Sequence, residues 1–271
     1  MTSRLRARRR RRAYIIAGLI ALVVVLLAVL AWAFVSAPFA RITKVTVSGS
    51  NVVPASSIED AVQHELKGKY AFIFPKDSIF LYSRHTIEDA VLSLYPTLKT
   101  VGVHAKDFHT LSVVVTERTP KALWCGTDAS SAANTCMFLD ENALAYAYAP
   151  QYSDTAYTTY YGALKPGTAS SSKQFLTSDQ FHSLSALART FEQHVAPDRL
   201  SYVSVNADDD ATLQFAPGYS IRFSLHDDGG DIYNHFTVAQ KAASFANHPL
   251  SDFDYIDLRF GDKVYYKLKN E

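Results

Sequence analysis

From Ala13 to Val35 the chain runs for 23 residues without a charge, nearly all of them Ala, Ile, Leu and Val, and no ionisable group follows until Arg41. As a helix rising about 1.5 Å per residue, this stretch is roughly 34 Å long, enough to cross a hydrocarbon core of about 30 Å. Trp32 and Phe34 lie at its far end, where aromatic rings suit the membrane–water boundary. Arg4, Arg6 and Arg8 to Arg12 precede it, and no acid occurs before residue 41. The overall charge of +1 therefore hides a division: +7 for the first 40 residues, and −6 for the remainder, with 20 basic against 26 acidic side chains. The positive-inside rule predicts a basic cytoplasmic tail over 1–12, a transmembrane helix over 13–36 that meets the lipid bilayer, and the rest outside the cell membrane. A mildly acidic body excludes a basic nucleic-acid-binding domain. A cleaved secretory signal would share the positive start, and Val35-Ser36-Ala37 could serve as its cleavage site. Signal cores run about 7 to 15 residues, so the length favours an uncleaved anchor.

Beyond the anchor the pattern is β-α-α-β-β. Residues 42–48 alternate from Lys44 onward and stop at Gly49-Ser50-Asn51, which predicts a strand. Ser56 and Glu59 have capping-box spacing ahead of Ile58, Val62 and Leu66, and Ile87, Ala90, Val91 and Leu94 form a second helical stripe ending at Tyr95-Pro96. Val101, Val103 and Ala105, then Leu111, Val113 and Val115, alternate as two strands. Two helices covering one face of a three-stranded sheet make a small α+β domain.

Ile42, Val45, Val47 and Gly49, the Tyr95-Pro96 before a Val-x-Val strand, and the closing Val113-Val114-Val115-Thr116-Glu117-Arg118-Thr119-Pro120 with Ala122 and Trp124 carry a resemblance. This segment resembles the POTRA domain of the FtsQ/DivIB cell-division family. The resemblance implies a POTRA domain over 40–119 and a β domain over 120–271.

The second region reads as a mostly antiparallel β domain with two helices. Trp124-Cys125 and Cys136 to Leu139 flank Asp140-Glu141-Asn142, after which Leu144, Tyr146 and Tyr148 alternate with alanines. That predicts a hairpin; the resemblance implies a glycine near Asn142, and Asn tolerates a left-handed conformation there better than most residues. Residues 150–176, rich in Tyr, Thr, Ser and Gly, read as a long surface loop. Thr177 and Gln180 form a capping box for an amphipathic helix stopped by Pro197. Strands follow near 200–206, 211–216 and 219–225, then a helix near Ile232 to Ala246, and finally a hairpin turning at Gly261-Asp262.

Chemistry-bearing patterns are sparse. Cys125 and Cys136 enclose ten residues in an oxidising compartment, which favours a disulfide worth about 3 kcal/mol on the chain-entropy model. The nine histidines show no ligand spacing, and Asp208-Asp209-Asp210 and Asp227-Asp228-Gly229-Gly230-Asp231 do not continue as calcium loops. Solvated turns, with Asp231 near a helix start, account for them better. No nucleophile elbow or phosphate-cradling loop appears, so neither catalytic residues, a metal, a cofactor nor a small-molecule substrate is expected.

Tyr255 to Lys267 resembles the family's final Ile/Val-Asp-Leu-Arg-Tyr/Phe segment and closing strand. The resemblance implies partner binding there by FtsB/DivIC-like and FtsL-like membrane proteins. Matched residue by residue, it points to Arg259 and Phe260, then to Val264, Tyr265, Tyr266, Lys267 and Leu268. An aromatic anchor at Phe260 or Tyr266 is the expected hot spot. The chemistry would be main-chain pairing at a sheet edge. The function so implied is a non-enzymatic, single-pass scaffold of the bacterial divisome that helps control septal peptidoglycan synthesis. Two alternatives remain from the residues: a membrane-anchored POTRA protein of polypeptide export or envelope assembly, and an extracytoplasmic hydrolase with scattered catalytic groups.

Overall fold

A computed structural model describes residues 2–130, 135–150, 156–167, 173–195 and 197–270. The protein is mixed α+β and separates into two compact units, Met1–Glu117 and Arg118–Glu271.

The first unit begins with α1 (Thr2–Val35), whose Tyr14–Val35 segment contains a stretch with a mean hydropathy of 3.1 and is exposed along its length up to Phe34. It is long and apolar enough to span a membrane. Then come β1 (Lys44–Ser48), α2 (Ala55–Glu65), β2 (Lys69–Tyr70), β3 (Phe74–Pro75), α3 (Arg84–Leu94), β4 (Leu98–Ala105) and β5 (Thr110–Glu117). The sheet order is β1-β5-β4, with β5 central, parallel to β1 and antiparallel to β4. Val45, Val101, Val103, Leu111, Val113 and Val115 supply its buried face, and Ile58, Val62, Ile87 and Val91 cover them from α2 and α3. Gly49 ends β1 at φ +90, where a Cβ would meet the Val115 carbonyl oxygen at 2.1 Å, so only glycine fits. The Glu117 carboxylate accepts the N–H groups of Asn51, Val52 and Val53 at 2.9, 2.8 and 3.0 Å. Burial pushes this carboxyl up, but the three N–H groups outweigh it and hold it below the usual glutamate range.

Two local expectations are corrected here. Pro54, not Ser56, occupies the N-cap of α2, and no side chain caps it. Proline pre-sets the chain before the helix, leaving Ser56 inside the first turn. Leu94 is exposed, while Tyr95 packs on the core and its hydroxyl donates to the Ser57 carbonyl at 3.0 Å.

The second unit contains β6 (Ala122–Trp124), β7 (Met137–Leu139), β8 (Leu144–Tyr148), β9 (Thr159–Tyr161), β10 (Lys165–Pro166), β11 (Lys173–Gln174) and α4 (Ser178–His194). It continues with β12 (Leu200–Val205), β13 (Asp210–Phe215), β14 (Ser220–Ser224), α5 (Gly229–Ala239), α6 (Ala243–Ala246), β15 (Phe253–Phe260) and β16 (Lys263–Leu268). One mixed sheet of 11 strands runs β10-β11-β8-β7-β6-β9-β12-β13-β14-β15-β16. Pairing is parallel at β6/β9, β9/β12 and β14/β15. Each parallel pair needs a returning connection, which runs through β7 and β8 for the first, includes α4 for the second, and includes α5 and α6 for the third. Helices α4 and α5 bury aromatic stripes, Phe181 and Phe191 from α4 and Phe236 from α5, in the core of this sheet. The Thr177/Gln180 capping box is present at the start of α4.

Three readings change. Residues 150–176 are not one loop: β9, β10 and β11 fall inside the segment, and Tyr160, Phe175 and Leu176 are core residues, while 151–155 and 168–172 lie outside the described residues. Polar composition there concealed short strands held by a few buried rings. In the β7–β8 turn the left-handed position is Ala143 (φ 60), not Asn142. Asp140 Oδ1 accepts the N–H groups of both Asn142 and Leu144 at 2.9 and 3.0 Å, which throws the bend onto Ala143. The helix expected over 232–246 starts earlier, because Asp228 Oδ1 caps it by accepting from Gly230 and Asp231. It stops at Ala239 and restarts as α6, where Phe245 is buried and Ala243 exposed.

Candidate partner-binding sheet edge

β15 and β16 form the last hairpin, turning at Gly261 (φ 61) and Asp262. β16 pairs with β15 alone, so among the described residues its outer backbone edge has no strand partner. The opposite end of the sheet is a poorer template, since β10 is two residues long and one is proline. β4 also ends a sheet, but its exposed residues Lys99, Thr100, His104 and Ala105 offer no large apolar side chain.

Period two splits the β16 side chains into two sets. Val264, Tyr266 and Leu268 are half-buried and pack on the core of their own unit. Tyr266 sits edge-on to Phe245 and Phe253, with ring centroids 5.1 and 5.4 Å away. Tyr265 and Lys267 face the other way and are exposed. Tyr265 is 51% exposed and meets Phe260, 53% exposed, edge-on at 5.0 Å. The exposed aromatic pair at the tip is thus Phe260 with Tyr265, and Tyr266 is an internal packing residue. Lys267 Nζ lies 3.3 Å from Asp254 Oδ2.

Arg259 is tied inward. Its Nε and Nη2 donate to the two Asp257 oxygens at 2.9 and 2.6 Å, and its Nη1 donates to Asp210 Oδ2 at 2.7 Å. The two carboxylates strengthen its hold on its proton. Burial pushes the Asp257 carboxyl up, and the Arg259 guanidinium and N–H outweigh that and lower it below the usual aspartate range. Arg259 therefore squares the end of β15 against β13 and braces the ring of Phe260, 5.7 Å from its guanidinium carbon. Sequence reading missed Asp210 in this role, taking it for a solvated turn; its separation from Arg259 leaves no local signal.

Behind the inward face, Val238, Ala239, Phe245, Val264 and Tyr266 line an open groove of about 380 Å³. Cys125 and Cys136 are joined as a disulfide across Cα atoms 4.2 Å apart, beside the Trp124↔Met137 register pair of β6 and β7. Among the described residues no three His, Cys, Asp or Glu side chains converge as a metal site. The chain matches no protein-family model and no curated protein.

Proposed function

We propose that the protein is a non-enzymatic, single-pass membrane scaffold of the bacterial divisome, of the FtsQ/DivIB kind. It binds an FtsB/DivIC-like strand along β16, holds an FtsL-like subunit with it, and so helps control septal peptidoglycan synthesis. The single observation that carries the reading is the unpaired outer edge of β16 with the exposed Phe260–Tyr265 pair at its start. An added strand satisfies main-chain N–H and C=O groups, and the aromatic pair supplies an anchor. The β1-β5-β4 sheet covered by α2 and α3, with the β2–β3 hairpin between the two helices, supports the POTRA assignment of the first unit, and the arginine-preceded α1 supports an N-in anchor. Anchoring confines weakly binding partners to one membrane and raises their effective concentration.

The test is titration of the full chain, in detergent, with the extracytoplasmic segment of an FtsB/DivIC-like protein. Phe260→Ala combined with Tyr265→Ala should weaken binding at least about tenfold, a loss of about 1.4 kcal/mol, with unchanged thermal stability. Equal affinity of the variant and the parent chain, or no binding by either, overturns the reading.

A further inference from the structure

The hairpin of β2 and β3 turns its apolar residues outward. Its strands pair Lys69 with Pro75 and Tyr70 with Phe74, and Ala71-Phe72-Ile73 forms the tip. Phe72 is 95% exposed, and Ile73 and Phe74 are exposed as well. Ala71 and Phe72 both take left-handed backbone conformations, φ 47 and 63, which side chains with a Cβ resist. A strained turn that holds a phenylalanine away from its own core gains nothing from packing inside the protein. Lysines bracket the tip at positions 69 and 76, and the Lys76 ammonium lies 5.5 Å from the Tyr70 ring centroid.

The base of the hairpin is laced to the end of α1. Asp77 O accepts the Ile42 N–H and Ala40 O accepts the Ile79 N–H, each at 2.8 Å. Between them the buried Ser78 hydroxyl donates to the Val35 carbonyl, in the last turn of α1, at 3.0 Å. Exposed rings continue the apolar surface from the helix: Phe34 meets Phe39 at 5.3 Å and Phe80 at 5.5 Å, and Phe80 meets Phe108 at 6.3 Å. Aromatic rings with lysines beside them, at the end of an apolar span, match the layered chemistry of a bilayer surface: hydrocarbon, then interface, then anionic headgroup. The nearby acid Asp77 is already opposed by Arg41, 3.6 Å away.

We propose that the β2–β3 hairpin is a second membrane contact, Phe72 and Ile73 entering the interface of the bilayer that α1 spans while Lys69 and Lys76 meet headgroup phosphates. The inference rests on the reading of α1 as a span. Its effect would be to restrict the tilt of the first unit on its anchor, since two points of attachment remove a rotation that one leaves free.

Depth can be read by spin labelling. The chain has only two cysteines, and both are bonded to each other, so single cysteines at positions 22, 72 and 52 can each be labelled alone. Leu22→Cys reports the span and Phe72→Cys the hairpin tip. Val52→Cys, 76% exposed beyond the far end of β1, is the water-facing reference. With the full chain in phosphatidylcholine–phosphatidylglycerol bilayers, the ratio of oxygen to nickel-chelate accessibility should be several-fold higher at 22 and 72 than at 52. A ratio at 72 equal to that at 52, with 22 in hydrocarbon, overturns the hairpin contact and leaves the span standing. A label at 22 that faces water overturns both.

Discussion

Arg259 commits three nitrogens to carboxylates of its own unit, so its contribution to any interface acts through the shape it gives the end of β15. Asp257 is 4% exposed, and removing its partner would strand a buried charge. Arg259→Ala should therefore destabilise the second unit by about 3 kcal/mol, at the lower end for a broken buried pair because the guanidinium is part-exposed. Asp257→Asn added to that change should recover part of the loss, and urea titration of the single and double variants measures both. The pH dependence has a definite sign. The Asp257 carboxyl is lowered on folding, so its stabilisation is complete above the unfolded aspartate pKa near 3.9 and disappears as pH falls through that value and then through the folded one. Stability curves of the parent and the Asp257→Asn variant should converge in that acid window. Arg259 was identifiable in the sequence only as a matched position, because its second carboxylate, Asp210, lies 49 residues away and belongs to β13.

At the scale of the element, β16 does two jobs with alternate residues. Tyr266→Ala removes a ring packed on Phe245 and Phe253 and should cost about 2–3 kcal/mol, somewhat less than a fully buried aromatic because the residue is half-buried. Tyr265→Ala, on the exposed face, should change stability by less than about 0.5 kcal/mol and register in partner binding instead. Thermal melts beside binding titrations separate the two; a large stability loss at Tyr265 would contradict the facing assigned to the strand. The alternation itself was legible, since strand side chains reverse face at every residue whatever the strand packs against. The capping box of α4 was legible for the same kind of reason, all its groups lying within one turn. The break after α5 and the strands β9 to β11 were not, because Phe245, Tyr160 and Phe175 are buried by residues distant in sequence.

For the whole molecule, the two units carry separate cores, and the disulfide lies in the second. Reduction of Cys125–Cys136 should lower the unfolding free energy of residues 118–271 by about 3 kcal/mol and leave the transition of the first unit in place. Calorimetry with and without reductant tests this, a common shift of the whole profile being the contrary result. What the sequence alone determined are properties settled within a turn or a strand: an apolar run long enough for a bilayer, the charge step before it, the capping box of α4, and the two faces of each strand. Which edge of the large sheet stays unpaired, which arginine is already spent on internal carboxylates, and which hairpin stands beside the end of α1 were decided by tertiary structure. Those depend on pairings between segments tens of residues apart, whose free energies come from burial and hydrogen bonding that no local pattern encodes.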